Sequence, residues 1–204
     1  MRPHEPLFHW IATHLVGRRI TPDIVSMAAL PPALAAGLCA AHGWFIAAAL
    51  LFGLSGIADL LDGALVRASG RSTRFGALLD SSLDRIADGC IPIGLILFYA
   101  PYGTVVLVPA AALLAGLWIP YIRARAQSLG LSLPRLWMRR EDRFIAVLAA
   151  LLLTPWVFVQ QAVPGLPVLI VLAAIAAQAS ASWLWMANDT CLSSRSSGTV
   201  GLRS

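Results

Sequence analysis

The 204-residue chain contains no lysine, only ten acidic residues and only three cysteines. Charged residues make up 12% of it, about half of the roughly 25% usual in a soluble domain. That is too little charge to solvate the surface of an ordinary soluble domain. Cys39, Cys90 and Cys191 are far apart, which excludes a disulfide framework, and the first two lie in apolar runs and read as small hydrophobes. No short-period repeat and little polar low-complexity sequence are present, which excludes fibrous and disordered classes. What fills the chain instead is oil: 58% of the residues are apolar, with a mean hydropathy of +0.76. The net charge of +5 rests on fifteen arginines. Fourteen of them fall at the joints between apolar runs, with Arg85 just inside the third run, so no nucleic-acid partner is expected.

The apolar runs are continuous and not alternating, which points to membrane helices and not a barrel. A spanning helix needs about 20 mainly apolar residues. Runs of that kind lie near 24–42, 44–66, 77–100, 103–122, 144–160 and 166–187. Pro31-Pro32 should kink the first. Ahead of it, Leu7, Phe8, Trp10, Ile11, Leu15 and Val16 form a one-sided apolar pattern ending at Arg18-Arg19, as in a helix lying along the membrane surface. The expected fold is an all-α integral membrane bundle of six transmembrane helices preceded by an interfacial amphipathic helix over 1–20. Residues 1–187 form one membrane domain, followed by a polar tail over 188–204. Arginines mark alternate joints: Arg2, Arg18 and Arg19; Arg67, Arg71 and Arg74; then Arg123, Arg125, Arg135, Arg139, Arg140 and Arg143; and finally Arg195 and Arg203. The joints at His42, Tyr102 and Gln160-Gln161 carry none. By the positive-inside rule, both termini and the arginine-bearing loops are cytoplasmic in a multi-pass cell-membrane protein. His42 then lies at the opposite membrane face, away from any chemistry at the arginine-bearing end.

Half of the ten acids fall in one 30-residue stretch: Asp59, Asp62, Asp80, Asp84 and Asp88. A spacing of three puts Asp59 and Asp62 on one helix face, and a spacing of four does the same for Asp80 and Asp84. A short turn around Gly70 would bring the two helices together antiparallel. Converging carboxylates repel unless protons or cations intervene, and an all-oxygen set favours a hard divalent ion such as Mg²⁺ or Mn²⁺. Taken pair by pair, such acids are often solvated helix-end residues or partners of neighbours such as Arg67 and Arg85. A small proton- or ion-coupled transporter would also carry buried acids. Transporters, however, usually hold them at mid-membrane between internal repeats, and the 59–84 pattern is not repeated.

From Asp59 the chain reads DLLDGALVRASGRSTRFGALLDSSLD, which sets Asp59, Asp62, Gly63, Arg67, Gly76, Asp80 and Asp84 at the spacing D-x2-D-G-x2-A-R-x8-G-x3-D-x3-D. This pattern resembles the motif of the CDP-alcohol phosphotransferase family, integral membrane enzymes of phospholipid synthesis. The one departure is Val66, where the family has Ala: a bulkier residue beside the donor's helix turn that removes no ligand or charge. The resemblance implies transfer of a phosphatidyl group from a CDP-linked lipid to an alcohol, with release of CMP. It implies that Asp59, Asp62, Asp80 and Asp84 hold divalent cations, two Mg²⁺ or Mn²⁺ ions, and that Asp84 is the general base for the incoming hydroxyl. Gly63 and Gly76 would let the donor approach the helix backbone, and Arg67 would meet its diphosphate. Close helix packing is the plain alternative for the glycines, and snorkelling to the interface for Arg67. The family likeness also suggests a homodimer.

Arg85 follows the last motif acid directly, which resembles enzymes making phosphatidylinositol phosphate or its archaeal ether-lipid counterpart. The segments Tyr121-Ile122-Arg123-Ala124-Arg125-Ala126 and Arg140-Glu141-Asp142-Arg143 resemble that subgroup too. There the likeness implies that Arg125, Arg140, Arg143 and Arg123 grip the phosphate of a soluble phosphorylated acceptor such as inositol 1-phosphate. Bidentate arginine contacts select a dianion in a way that a neutral alcohol would not require. Glycerol 3-phosphate, or a lipid acceptor as in cardiolipin synthesis, fits the same chemistry, and topology alone could also account for these arginines. Asp88 continues the acidic stripe outside the motif, where a supporting contact with Arg85 is expected.

Overall fold

The computed structural model describes residues 22–69, 73–129, 139–157, 165–178 and 180. The expected surface helix over 1–20, the turn at Gly70 and the polar tail lie outside the described residues. All regular structure among the described residues is helical. In chain order the helices are α1 (Pro22–Ala41), α2 (Phe45–Ser69), α3 (Arg74–Tyr99), a 3₁₀ segment (Ala100–Val106), α4 (Leu107–Ser128), α5 (Arg140–Val157) and α6 (Leu166–Gln178).

Three helical stretches are long and apolar enough to cross a membrane: Asp23–Ala41, Phe45–Ala68 and Arg74–Ser128. The third runs through α3 and α4, with non-helical backbone between them at Tyr102 and Gly103 (φ 62°). The expected fourth run started at 103; the helix instead begins at Leu107, because the 3₁₀ segment with its central glycine occupies the joint. The fifth begins earlier than its apolar run, at Arg140, since Glu141 and Asp142 suit a helix first turn and Asp142 Oδ2 accepts from the Arg139 N–H at 2.9 Å. α1 is helical through both Pro31 and Pro32. The outward faces are apolar, with Ile24, Leu50, Leu54, Leu97, Leu107, Leu114 and Leu152 all exposed, as lipid requires and water would penalise. The protein is a membrane protein.

Residue pairs give the helix directions. Ser26 meets Asp62 and Ser55 meets Ala29, so α1 and α2 are antiparallel across the tight turn at Gly43 (φ 74°). Gly76 faces Asp23 and Cys90 faces Gly37, a constant offset that makes α1 and α3 parallel. Asp59 faces Arg140 and Gly56 faces Phe144, so α2 and α5 are antiparallel. The start of α1, end of α2, start of α3 and start of α5 therefore share one end of the bundle. His42, at the far end of α1, packs on Trp44 (ring centroids 5.6 Å apart) well away from the acids.

The α1–α3 crossing depends on two glycines. A Cβ at Gly94 would overlap the Gly37 carbonyl oxygen, and one at Gly37 would lie 2.6 Å from the Cys90 carbonyl oxygen. Backbone on both sides of the contact cannot yield as a flexible side chain would. Gly94→Val is therefore expected to cost about 3 kcal/mol or more. A fall in detergent-solubilised melting temperature, with Gly116→Val as a control where nothing lies within 4 Å of the new Cβ, checks it.

Candidate active site

Thr73 starts α3 by accepting the Gly76 N–H at 2.9 Å. With that start fixed, Asp80, Asp84 and Asp88 follow at one-turn intervals on the face toward α2 and α5. On α2, Asp59 and Asp62 sit in the second half of the helix. The two short sets meet: oxygens of Asp59, Asp62 and Asp80 all lie within 4.8 Å of one another. Oxygens bound to one Mg²⁺ at about 2.1 Å are at most about 4.2 Å apart. A contraction of about half an ångström would close the three around an ion, and the all-oxygen donors suit Mg²⁺ or Mn²⁺. The residues present fit a divalent centre.

Asp84 stands beside this trio, its side chain against Asp59 and paired with Arg140. Its Oδ1 accepts a hydrogen bond from Arg140 Nη2 at 2.6 Å, and its side chain is only 15% exposed. The same Nη2 lies 3.6 Å from Asp59 Oδ1, while Arg140 Nε is 3.7 Å from Asp88 Oδ2. Arg85 reaches Asp88 at 3.8 Å and Asp84 at 4.0 Å. Arg140 thus ties the start of α5 to both acidic helices. Ahead of the apolar stretch of α5, burial lowers the Arg140 proton affinity, but Asp88, Asp84 and Asp59 raise it further, leaving it above the ordinary arginine value. For Arg143, burial wins over the pull of Asp88, and repulsion from Arg85, Arg140 and Arg123 adds to the lowering. Arg143 thus feels three arginines and one acid nearby.

A cavity of about 380 Å³ opens between α1, α2, α3 and α5. All five acids line it, Asp88 and Arg140 being shared with a second space, and Leu30, Phe52 and Phe144 supply apolar wall. The second space, about 60 Å³, is bounded by Asp88, Arg140 and Arg143. Polar groups at the mouth and apolar ones behind suit a ligand with a charged head and an oily tail.

Of the remaining expected residues, Gly63 has open space: an added Cβ would meet only Arg67 Nη1, at 3.5 Å. Gly76 is crowded, since a Cβ would lie 2.9 Å from Asp23 Oδ1 and 3.0 Å from Thr73 Oγ1. Arg67 is exposed one turn beyond Gly63. Arg123 and Arg125 are exposed on α4 and border neither cavity, although Arg123 is close enough for its charge to act on Arg143. Two residues were not anticipated. Asp23 faces Gly76, and Ser26, one turn later, donates to Asp62 Oδ2 at 2.6 Å. Their signal was a carboxylate and a hydroxyl three apart in an otherwise apolar helix, which is meaningful only once α1 is known to flank α2 and α3.

Residues 19–188 match the CDP-alcohol phosphatidyltransferase family. The chain is a member of that family. It is a phosphatidyltransferase of phospholipid synthesis, and the transporter alternative falls away. The archaetidylinositol phosphate synthase of Methanothermobacter thermautotrophicus is 40% identical over 138 residues, covering 66% of this chain and 69% of the relative. The phosphatidylinositol phosphate synthase of Cutibacterium acnes is 36% identical over 148 residues, covering 71% and 72%. Among solved structures, the Mycobacterium tuberculosis phosphatidylinositol phosphate synthase with CDP-DAG bound superposes with a TM-score of 0.75 at 28% identity, covering 88% of this chain and 91% of that one. The same enzyme in complex with manganese and citrate gives a TM-score of 0.76, also at 28% identity, covering 87% and 86%.

Proposed function

We propose that this phosphatidyltransferase moves the phosphatidyl group of CDP-diacylglycerol, or of an ether-lipid equivalent, onto inositol 1-phosphate and releases CMP. The observation that carries the reading is the adjoining of two charge environments. A trio of carboxylate oxygens within 4.8 Å adjoins a second space bounded by Arg140 and Arg143, with Asp88 and Arg140 shared between the two. The names of the relatives support the acceptor, and the manganese and CDP-DAG of the M. tuberculosis structures support the cofactor and the donor.

In this reading Asp59, Asp62 and Asp80 hold the divalent cations, Mg²⁺ or Mn²⁺, with Asp84 completing the set. When bound, the cations neutralise the donor diphosphate and stabilise the charge that develops on the leaving CMP. Gly63 leaves room for the donor against α2, and Arg67 meets its diphosphate from the exposed side. Gly76 serves by letting Asp23 come close to the start of α3. The lipid tails lie along the apolar wall at Leu30, Phe52 and Phe144. Asp84 takes the proton of the attacking hydroxyl at Oδ2, because Arg140 already occupies Oδ1. Arg143, with Arg140, Arg123 and Arg125, receives the acceptor phosphate through charge-assisted hydrogen bonds.

The wider arrangement follows the sequence reading: one domain over 1–187 with six spans, both termini and the active site on the cytoplasmic side, and a homodimeric enzyme. The acceptor is tested with labelled CDP-lipid and a panel of inositol 1-phosphate, glycerol 3-phosphate, free inositol, serine and phosphatidylglycerol. Inositol 1-phosphate is expected to give the phosphorylated lipid product and stoichiometric CMP. Equal or faster turnover with glycerol 3-phosphate would overturn the acceptor assignment. Arg143→Gln is expected to raise the KM for inositol 1-phosphate about 10- to 100-fold, the loss of one or two charge-assisted hydrogen bonds, with the donor KM unchanged.

A further inference from the structure

Hydroxyls inside helices usually return their proton to the carbonyl one turn back. Ser82 does so to Leu78 at 2.8 Å and Thr154 to Ala150 at 2.7 Å. Ser26 and Ser55 instead donate across the α1–α2 interface. Ser55 Oγ reaches the Ala29 carbonyl oxygen at 2.9 Å, and Ser26 Oγ reaches Asp62 Oδ2 at 2.6 Å. All three side-chain partners are deeply placed: Ser26 is 7% exposed, Ser55 5% and Asp62 5%. The two serines differ in what they hold. Ser55 holds backbone, whereas Ser26 holds a carboxylate of the metal-fitting trio.

We propose that Ser26 is a positioning residue for the divalent centre, its hydroxyl fixing the Asp62 carboxylate in the orientation in which it faces Asp59 and Asp80. The inference rests on the reading of that trio as the metal ligands. A carboxylate on a free Cβ–Cγ bond rotates, and rotation of Asp62 would withdraw its oxygen from the other two. A hydroxyl donating to one oxygen at 2.6 Å fixes the carboxylate plane before any cation arrives, so the centre is preorganised. It also gives a buried, crowded carboxylate a donor, without adding a competing positive charge as Arg140 would. Groups that orient metal ligands in this way are typically worth about 10- to 100-fold in metal affinity.

The test is Mn²⁺ titration of the metal-stripped full-length enzyme in detergent, with free Mn²⁺ read by EPR and no substrate present. Ser26→Ala is expected to weaken Mn²⁺ binding about 10- to 100-fold. Ser26→Thr, which keeps the hydroxyl, should return close to wild-type affinity. Ser55→Ala, which removes the other α1–α2 tether, should leave Mn²⁺ affinity unchanged. In assays Ser26→Ala should need more Mn²⁺ for half-maximal rate, yet recover most of kcat at saturating Mn²⁺. Where Ser26→Ala does not yield monodisperse protein, Ser26→Cys is the second variant, with the same weakening expected. Wild-type Mn²⁺ affinity in either hydroxyl-free variant, or an equal loss in Ser55→Ala, would overturn the positioning role. Asp62→Asn separates the two readings: if it binds Mn²⁺ as tightly as wild type, the trio is not the metal site and the inference falls with it.

Discussion

Asp84→Asn is expected to lower kcat about 10²- to 10⁴-fold, the usual range for loss of a general base, while the chain keeps its fold and its Mn²⁺ site. The substitution isolates the proton chemistry because the amide oxygen can still accept the Arg140 hydrogen bond that now goes to Oδ1 at 2.6 Å. Arg140 also stays bound to its other partners, Asp59 at 3.6 Å and Asp88 at 3.7 Å, so α5 remains anchored to α2 and α3. What the asparagine lacks is an oxygen able to carry the hydroxyl's proton away. Single-turnover CMP release should fall with kcat, and Mn²⁺ bound by Asp59, Asp62 and Asp80 should persist in EPR. Full turnover in the variant would refute the base assignment. Loss of all Mn²⁺ binding would make Asp84 first of all a ligand.

Much of this arrangement was legible in the sequence, and the unread part has a common cause. Helix periodicity shows which residues share a face of one helix. It therefore put Asp59 with Asp62 and Asp80 with Asp84, and the trio of oxygens within 4.8 Å follows once α2 and α3 lie side by side. Apolar run length located α1 to α3 to within a few residues, because each is bounded by polar or turn residues: Gly43 with φ 74°, and the Thr73 cap. It missed the true start of α4 at Leu107, since a 3₁₀ segment is as apolar as the helix it precedes. Partners across helices leave no periodic trace. Ser26, Asp23 and Phe144 each matter through a neighbour more than 30 residues away, and each looks like an ordinary member of its own helix. Arg140 shows the same limit from the other side. Its charge and motif suggested the acceptor phosphate, but the antiparallel approach of α5 to α2 brings its guanidinium onto Asp84 and Asp59, and it stands beside the acceptor space while bonded to the acids.

Asp80→Asn is expected to have the larger effect on activity and the opposite effect on the metal-free protein's stability. Among the described residues Asp62 is tied to Ser26, and Asp59 and Asp84 to Arg140, while no hydrogen bond or salt bridge engages Asp80. Its substitution therefore removes one ligand and little else. Loss of the metal-dependent charge stabilisation, worth several kcal/mol, should reduce turnover by about 10³-fold or more. Chelation of the wild type should produce the same loss, reversed by Mn²⁺ in the wild type and not in the variant. Stability should move the other way without metal. Three carboxylates within 4.8 Å repel when no cation separates them, so neutralising one relieves strain in the apo state. The metal-free variant should melt at or above the metal-free wild type. Added Mn²⁺ should raise the wild-type Tm, because an ion that binds only the folded state stabilises it by mass action, and should leave that of Asp80→Asn nearly unmoved. If apo Asp80→Asn melted well below the apo wild type, Asp80 would be holding the helices together and not waiting for a cation.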